Sequence, residues 1–424
     1  MVEAAAARPD AGAAHDVLVV GAGIVGLACA LKLQQAGRSV TLVDRRGIAR
    51  ETSSGNAAGL AFSDIIPMAS RGMMRKVPGW LADPLGPLAI PPAYFPRILP
   101  WLVRYWRAGW PDRIEASIAA QAAMMRLSQA EMNRMVDACG IAHMVHSKGS
   151  LELYESEAEF AASLPGWQRR TDHDIAFEHV RGERLADLQP GLSPRFVAGT
   201  FVPSWQSVSD PFEFAVAIGS HALGAGATLI EASVIDIASA GEGVSIRLDD
   251  GRVLACRQAV LAAGAWSKQL ARKLGDAIPL ETERGYNTTL PPGAFDVRQQ
   301  LIFGGHGFVV SALSTGIRVG GAVELGGLDL APNFRRADAM LTKAAQFLPG
   351  LKTQGGRQWM GFRPSLPDSL AVIGRSRATP NVVYAFGHGH LGLTQSAGTG
   401  KLVSDLVCGE EPQLDLAPFS PQRF

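Results

Sequence analysis

The stretch from Asp16 to Asp44 constrains the fold more than any other part of the chain. Its apolar run DVLVV is typical of a buried parallel strand, and GAGIVG follows directly. The next residues have helical character as far as Gln35, and a second apolar run, SVTLV, ends at Asp44. Strand, GxGxxG, helix, strand and acid in this order predict a Rossmann-like unit that binds a dinucleotide.

Each glycine of this motif has its own physical role. Gly21 permits the tight turn, Gly23 lets the backbone approach a pyrophosphate, and Gly26 lets the helix pack closely on the strand. The helix N-terminus then faces the phosphates, and the carboxylate of Asp44 is suited to accept hydrogen bonds from ribose hydroxyls. This unit alone does not distinguish a flavin from a nicotinamide dinucleotide.

Length and composition set further limits. A chain of 424 residues is long for one core, so we expect two domains. The formal net charge of +1, without a basic run, argues against nucleic acid as a partner. The four cysteines lie far apart, which predicts a reducing, cytoplasmic environment and no structural metal. We expect no transmembrane segment, and we expect residues 1–14 to form a disordered tail.

Three later segments favour a flavin. ETSSGNAAG, which starts at Glu51, is rich in small and hydroxylated residues and suits a loop along a long cofactor as well as a solvated loop. VLAAGAWS begins as an apolar strand and breaks at Gly264. The third segment, from Trp359, contains GFRPSLPDSLAVIGR and leads into GHGHLGLTQSAG.

With these segments in this order, the chain resembles the D-amino-acid oxidase-like family of FAD-dependent oxidoreductases, and within it the bacterial D-amino acid dehydrogenases. The resemblance implies an α/β fold, with a discontinuous Rossmann-like FAD-binding domain and a mixed α+β substrate domain built on an antiparallel sheet. We expect the FAD-binding domain in residues 15–75, 195–275 and 355–424, and the substrate domain in residues 76–194 and 276–354.

The resemblance implies FAD as the cofactor. We expect non-covalent binding, because the stretch just ahead of Arg363 contains none of the cysteines through which some relatives attach flavin. The helix from about Thr394 should direct its N-terminus at the flavin N1 and C2 carbonyl, where reduced flavin carries negative charge. The predicted cofactor contacts are Gly21, Gly23, Ile24, Val25, Gly26, Asp44, Arg45, Thr52, Ser53, Asn56, Ala57, Ala58, Gly59, Leu60, Val234, Ala263, Gly264, Trp266, Gly389, His390, Leu391, Gly392, Leu393 and Thr394.

The family moves a hydride from an amino acid to flavin N5, so the resemblance also implies a cation for the substrate carboxylate. Arg363 of GFRP matches the family's arginine, and a planar guanidinium can bind a carboxylate at two points. The alternative is a surface arginine at a strand end. Arg284 and Tyr286 alternate on a predicted strand and point together, either as a second polar anchor or as ordinary solvent-facing residues.

The roles of three histidines stay open. His306 and Phe308 share a face of a predicted strand, near the place where several relatives have a substrate-contacting tyrosine, so His306 is either its replacement or a structural residue. His388 and His390 either help to deprotonate the substrate ammonium or fill space around the flavin ring. No third ligand has metal spacing with them, so we expect no zinc.

The implied activity is dehydrogenation of a D-amino or imino acid, D-proline and hydroxy-D-proline included, with a quinone or another carrier as electron acceptor. The alternatives are an oxygen-using oxidase of sarcosine, glycine or another secondary amine, and a non-catalytic FAD-binding subunit of a larger complex. The stretch from Tyr94 to Arg107 mixes aromatics with arginines and suits a helix on the inner face of a membrane. We favour instead a helix packed on its own domain with arginines at the rim.

Overall fold

The computed structural model describes residues 15–69, 79 and 86–424. The tail predicted for residues 1–14 lies outside the described residues, as does most of the stretch 70–85. The α-helices of the described part are, in chain order, α1 (Ile24–Gln35), α2 (Phe95–Ala108), α3 (Pro111–Cys139), α4 (Glu157–Thr171), α5 (Gly182–Leu188), α6 (Pro211–Gly224), α7 (Ser267–Lys273), α8 (Arg335–Phe347) and α9 (Gly392–Cys408).

The strands fall into two large sheets and one small one. They are β1 (His15–Val20), β2 (Val40–Asp44), β3 (Gly59–Leu60), β4 (Leu88–Ala89), β5 (Val145–His146), β6 (Ser150–Tyr154), β7 (Glu178–Val180), β8 (Ala198–Val202), β9 (Gln206–Val208), β10 (Thr228–Glu231), β11 (Val234–Ala240), β12 (Gly243–Leu248), β13 (Val253–Leu261), β14 (Glu281–Leu290), β15 (Gln300–Phe303), β16 (Phe308–Leu313), β17 (Gly316–Glu324), β18 (Arg357–Ser365), β19 (Val372–Arg375) and β20 (Val382–Phe386).

A parallel core forms the first sheet. Strands β10, β2, β1, β13 and β20 lie side by side in that order and run parallel. Strands β12 and β11 extend antiparallel from the first half of β13, and β19 pairs antiparallel with β20. The central strands are continuous apolar runs because both faces of the sheet are covered. The strands come from three separate parts of the chain, which confirms the discontinuous Rossmann-like fold.

Helices α1, α3 and α9 pack together on one face of this sheet. Small residues allow the close approach of α9: a Cβ added at Gly400 would lie 2.7 Å from the carbonyl oxygen of Ala28, and one at Gly398 would lie 2.5 Å from Ser128 Oγ. Lys32 of α1 and Glu131 of α3, both buried, form an ion pair at 2.6 Å. This packing holds the N-termini of α1 and α9 at the edge of the same sheet.

The second sheet has the order β18-β14-β17-β16-β15-β6-β8-β7, and β4 joins it beside β17. Its pairings are antiparallel except for β15 with β6 and β17 with β4. Helix α8 covers one face with apolar side chains. This confirms the mixed α+β unit on an antiparallel sheet. The domain boundaries stay predictions, but β8 and β18, from segments expected in the FAD-binding domain, pair in this sheet.

Candidate active site

A cavity of about 1020 Å³ lies between the two sheets. At one end it is lined by the ends of β1, β2 and β13, the N-terminus of α1 and the start of β11. At the other end it is lined by β14, β17 and β18, by helix α2 and by the N-terminus of α9. The cavity is therefore elongated, with a nucleotide-binding motif at one end and an antiparallel sheet at the other.

The glycine motif has the tight geometry that its spacing predicts. Gly21 has φ +109°, and an added Cβ would lie 2.5 Å from the carbonyl oxygen of Ala262, which directly follows β13. A Cβ on Gly26 would lie 1.9 Å from the carbonyl oxygen of Gly21, so only glycine fits there. The N-cap of α1 makes no side-chain hydrogen bond, which leaves this helix terminus directed at the cavity.

Two side chains hold the loops around this helix terminus. Asp44 accepts hydrogen bonds from the amides of Ala22, at 2.8 Å, and Arg46, at 2.9 Å. A carboxylate has about four acceptor positions, so Asp44 keeps capacity for a ribose hydroxyl. Ser53 Oγ accepts from the amide of Ile24 at 3.0 Å and so ties the ETSSG segment to the start of α1.

Most of the residues predicted to bind the cofactor line this cavity. Those that do so are Gly21, Gly23, Ile24, Val25, Asp44, Arg45, Thr52, Ser53, Asn56, Ala57, Gly59, Val234, Ala263, Gly264, Trp266, Gly389, His390, Leu391, Gly392 and Leu393. Gly26, Ala58, Leu60 and Thr394 lie behind the lining, where Thr394 Oγ1 accepts a hydrogen bond from the amide of Ala61 at 3.0 Å. Their role in cofactor binding stays a prediction.

Two contacts in the lining were not expected from the sequence, although Arg45 and Trp266 were predicted to contact the cofactor. The ring of Trp359 lies against Gly55 and Gly361, since a Cβ on either glycine would lie 2.2 or 2.0 Å from it. Arg45 stacks on the ring of Trp266, with Cζ 3.8 Å from the ring centroid, and is paired with Glu51. Trp359 stands two residues ahead of GFRP, and Glu51 opens ETSSG. Their positions in these two segments were the sequence signals that could have identified them.

Arg363 lies at the sheet end of the cavity. Its side chain leaves β18, crosses β14 above Gly285, and donates hydrogen bonds to the carbonyl oxygens of Ala322, at 2.9 Å, and Gly321, at 3.3 Å. Burial lowers the pKa of the guanidinium, against a smaller raising effect of Glu283. Within the described part of the chain, no carboxylate lies within 4.0 Å of this guanidinium. The arrangement leaves a cation in the cavity without an anionic partner.

The predicted second anchor is directed elsewhere. Arg284 and Tyr286 do converge, but on Glu324 of β17: Arg284 Nη1 lies 2.9 Å from Glu324 Oε2, and the phenol of Tyr286 donates to the same oxygen. Arg284 is completely buried and does not line the cavity, while Tyr286 lines it without directing its hydroxyl there. Neither is solvent-facing, because α8 covers this face of the sheet.

His306 does not share a strand face with Phe308, so that expectation was wrong. It lies in a one-turn 3-10 helix, Gly304–His306, and Gly307, with φ +67°, separates it from β16. Its Nε2 pairs with Glu155 Oε2 at 2.5 Å, and it does not line the cavity. Phe308 does line it and is buried.

His388 and His390 lie on the turn before α9 and both line the cavity. His388 is buried, its Nε2 lies 2.8 Å from Thr399 Oγ1, and burial lowers its pKa to about 4, which makes it a weak base near neutral pH. His390 is exposed and its Nε2 lies 3.1 Å from Asp64 Oδ2. Helix α9 begins at Gly392, two residues before the predicted start, and its N-cap makes no side-chain hydrogen bond.

The cavity fits FAD in its shape and its donors. It is long, it has a helix N-terminus at each end, and glycines keep its walls close to the backbone. No cysteine lines it. Across the described residues, no group of three His, Cys, Asp or Glu side chains could hold a metal ion, and no helix is long and apolar enough to cross a membrane.

Comparisons with known proteins agree with this geometry. A family model described as "DAO: FAD dependent oxidoreductase" matches residues 16–406. The D-amino-acid oxidase of Bradyrhizobium diazoefficiens is 36% identical over 420 residues, which cover 97% of this chain and 99% of that protein. The D-amino acid dehydrogenase of Rhizobium rhizogenes is 28% identical, with 96% and 99% covered. The crystal structure of glycine oxidase from Geobacillus kaustophilus shares the fold, with TM-score 0.78, 21% identity, and 97% and 99% covered.

Proposed function

We propose, on the premise that this chain belongs to the DAO family of FAD-dependent oxidoreductases, that it oxidises the carbon–nitrogen bond of a D-amino acid or of an imino acid such as D-proline or hydroxy-D-proline. FAD, when bound, supplies the hydride acceptor. The residues of the chain bind the substrate carboxylate, orient the substrate carbon and exclude water from the cavity.

The observation that carries this proposal is the position of Arg363. A buried cation costs free energy unless an anion neutralises it, and among the described residues the guanidinium has two carbonyl oxygens as hydrogen-bond partners and no ion pair. A substrate carboxylate provides that anion and matches the planar guanidinium at two points. The two carbonyls fix the guanidinium in place before the substrate arrives, which reduces the entropy that binding must overcome.

For the electron acceptor we propose a quinone or another small carrier. The support is the likeness to a D-amino acid dehydrogenase and the position of α2, whose Trp101, Leu102 and Tyr105 line the cavity. A different observation favours oxygen: the relative at 36% identity is named a D-amino-acid oxidase. Both acceptors are compatible with the first half-reaction, in which the substrate reduces the flavin. The second half-reaction, in which the acceptor reoxidises the flavin, therefore decides between them.

Helix α2 also supports a peripheral membrane contact. It packs on its own domain through Ile98 and Trp101, as we favoured from the sequence, but it also exposes large apolar side chains. These are Phe95, Leu99, Val103, Trp106 and, just beyond the helix, Trp110. Exposed Arg97 and Arg104 flank them without an ion pair in the described part of the chain. We propose that this face rests on an anionic lipid surface.

An anaerobic half-reaction tests the activity. The purified FAD-loaded chain is mixed with D-amino acids, D-proline and hydroxy-D-proline, with each L enantiomer, and with sarcosine and glycine. We expect at least one D-amino or imino acid to bleach the flavin absorbance, and its enantiomer not to do so. Bleaching by sarcosine or glycine alone would favour an oxidase of the sarcosine or glycine type, and no bleaching by any of these compounds would overturn the proposal.

The second half-reaction identifies the acceptor. The bleached enzyme is mixed with air-saturated buffer or, anaerobically, with a soluble quinone. We expect the quinone to restore the flavin absorbance faster than oxygen does, and rapid recovery in air with peroxide release would assign an oxidase. Turnover of the purified single chain with an artificial acceptor would also exclude a non-catalytic subunit.

A further inference from the structure

Strands β14 and β18 bring two opposite charges to the cavity from facing positions. Glu283 and Arg363 are partners in the antiparallel ladder, so their side chains leave the same face of the sheet. They form no ion pair, because the guanidinium of Arg363 turns across Gly285 towards the carbonyl oxygens of Gly321 and Ala322. The cavity therefore has a cation and an anion that do not neutralise each other directly.

Glu283 is buried and unpartnered. Its exposed fraction is 5%, it lines the cavity, and it makes no hydrogen bond or ion pair with any residue that the structure describes. The phenol of Tyr105, on α2, lies close enough that Glu283 adds to the increase in its pKa, which is caused mainly by burial. A buried carboxylate without a partner is costly, so this position is suited to a ligand that carries a cation.

The spacing indicates which cation fits. The guanidinium lies over Gly285, where its Cζ would be 2.5 Å from an added Cβ. Glu283 is two positions away on the same strand, which corresponds to about 7 Å. In an amino acid the nitrogen is two bonds from the carboxylate carbon, so a zwitterion with one hydrogen bond of about 2.9 Å to the protein at each end bridges this interval. The terminal nitrogen of an extended D-lysine is six bonds away and reaches well beyond it.

We propose that Glu283 binds the amino nitrogen of the substrate, as its ammonium, while Arg363 binds the carboxylate, so that the cavity recognises a zwitterion. This inference rests on the proposed function, since it assumes an amino acid substrate. The charges balance in the complex: one anion and one cation of the protein meet one cation and one anion of the ligand. Glu283 is then a substrate-contacting residue that the sequence did not single out, although it directly precedes Arg284.

Two ligands of the same shape test this directly. 2-Aminoisobutyrate is a zwitterion, and pivalate has a methyl group in place of the ammonium; neither has an α-hydrogen, so neither is oxidised. Their affinities for the FAD-loaded chain are measured by calorimetry. We expect Glu283→Gln to weaken 2-aminoisobutyrate at least tenfold, equivalent to about 1.4 kcal/mol, and to leave pivalate unchanged or tighter. Glu283→Asp should retain a preference for the zwitterion, and Arg363→Lys should weaken both ligands.

Three outcomes would overturn the inference. Equal losses for the two ligands in Glu283→Gln would show a structural role, and no loss would show that the ligand does not reach Glu283. If Glu283→Gln loses affinity only for D-lysine and D-arginine, then Glu283 binds a substrate side chain and not the amino nitrogen. If the wild type is bleached by a D-amino acid but Glu283→Gln keeps the same preference, only this inference fails. If the wild type binds neither ligand and no amino acid bleaches it, the proposed function fails as well.

Discussion

Replacing Gly285 with alanine should displace the guanidinium of Arg363 without touching Arg363 itself. The added Cβ would lie 2.4 Å from Nη2, 2.5 Å from Cζ and 2.9 Å from Nε. Gly285 sits in the middle of β14, paired with Gly361 of β18 and next to a register shift in the pairing with β17, so strands on both sides limit how far its backbone can retreat. The guanidinium must therefore move away from the sheet, and by roughly 1 Å to restore ordinary contact distances.

Such a movement breaks the geometry that prepares Arg363 for a carboxylate. The hydrogen bonds to Ala322, at 2.9 Å, and Gly321, at 3.3 Å, lengthen beyond useful range. A hydrogen bond to a charged group contributes about 1.5–3 kcal/mol, so the loss of a well-aligned contact to the substrate should weaken binding by roughly ten- to a hundredfold. FAD content should not change, because Gly285 faces the substrate end of the cavity.

The assay is the substrate concentration that gives half-maximal anaerobic flavin reduction, measured at equal FAD content. Gly356→Ala is the matched control: its Cβ would meet the methyl group of Thr288 at 2.6 Å, beside the same pair of strands but outside the cavity lining. We expect Gly285→Ala to raise the half-saturating concentration at least tenfold and Gly356→Ala to leave it nearly unchanged. Equal values for Gly285→Ala and the wild type would refute the assignment of Arg363 to the carboxylate.

Three further predictions concern Arg363, the buried His388 and the exposed face of α2. Arg363→Lys keeps the charge but loses the planar pair of donors, so the half-saturating substrate concentration should rise tenfold or more at unchanged FAD content, and no change would transfer the role to another cation. The pKa of His388 is lowered from 6.5 to about 4, so the unfolded chain binds this proton first as the pH falls, and stability drops below pH 6.5. Urea unfolding should show that the free energy of unfolding falls by about 2 kcal/mol less in His388→Asn than in the wild type between pH 7 and pH 5. Equal decreases would contradict the burial argument. Val103→Asp should reduce co-sedimentation with anionic vesicles but not with neutral ones. If the wild-type protein does not co-sediment with anionic vesicles, the proposed membrane contact is wrong.

Much of the nucleotide-binding half could be predicted because its constraints are local. A strand, a glycine turn, a helix and an acid follow one another within thirty residues, and each element forms close to its expected bounds. The run from Ala227 to Val234, which reads as one strand in the sequence, divides into β10 and β11, because β10 pairs with β2 and β11 with β12. That division depends on partners far away in the sequence.

The substrate end of the cavity could not be predicted, because it too depends on contacts between segments that are far apart in the sequence. Alternation along a strand shows that Arg284 and Tyr286 share a side, but it does not show which side borders the cavity. That depends on what packs against the sheet, and α8 comes from a distant segment. The turn that removes His306 from its predicted strand depends on left-handed Gly307, and the sequence pattern did not separate it from the flanking strand.

The two sides of β14 depend on each other through the register of the strand. On the cavity side are Glu283, Gly285 and Asn287, while on the other side Arg284 and Tyr286 are both held by Glu324. A slip of one residue would exchange these two sets and direct Arg284 into the cavity. The buried pair of Arg284 and Glu324 opposes that slip, since breaking it would leave charges buried without partners at a cost of about 3–5 kcal/mol. Arg284 therefore affects the site indirectly, from the opposite face of the sheet, by keeping Gly285 beneath the guanidinium of Arg363.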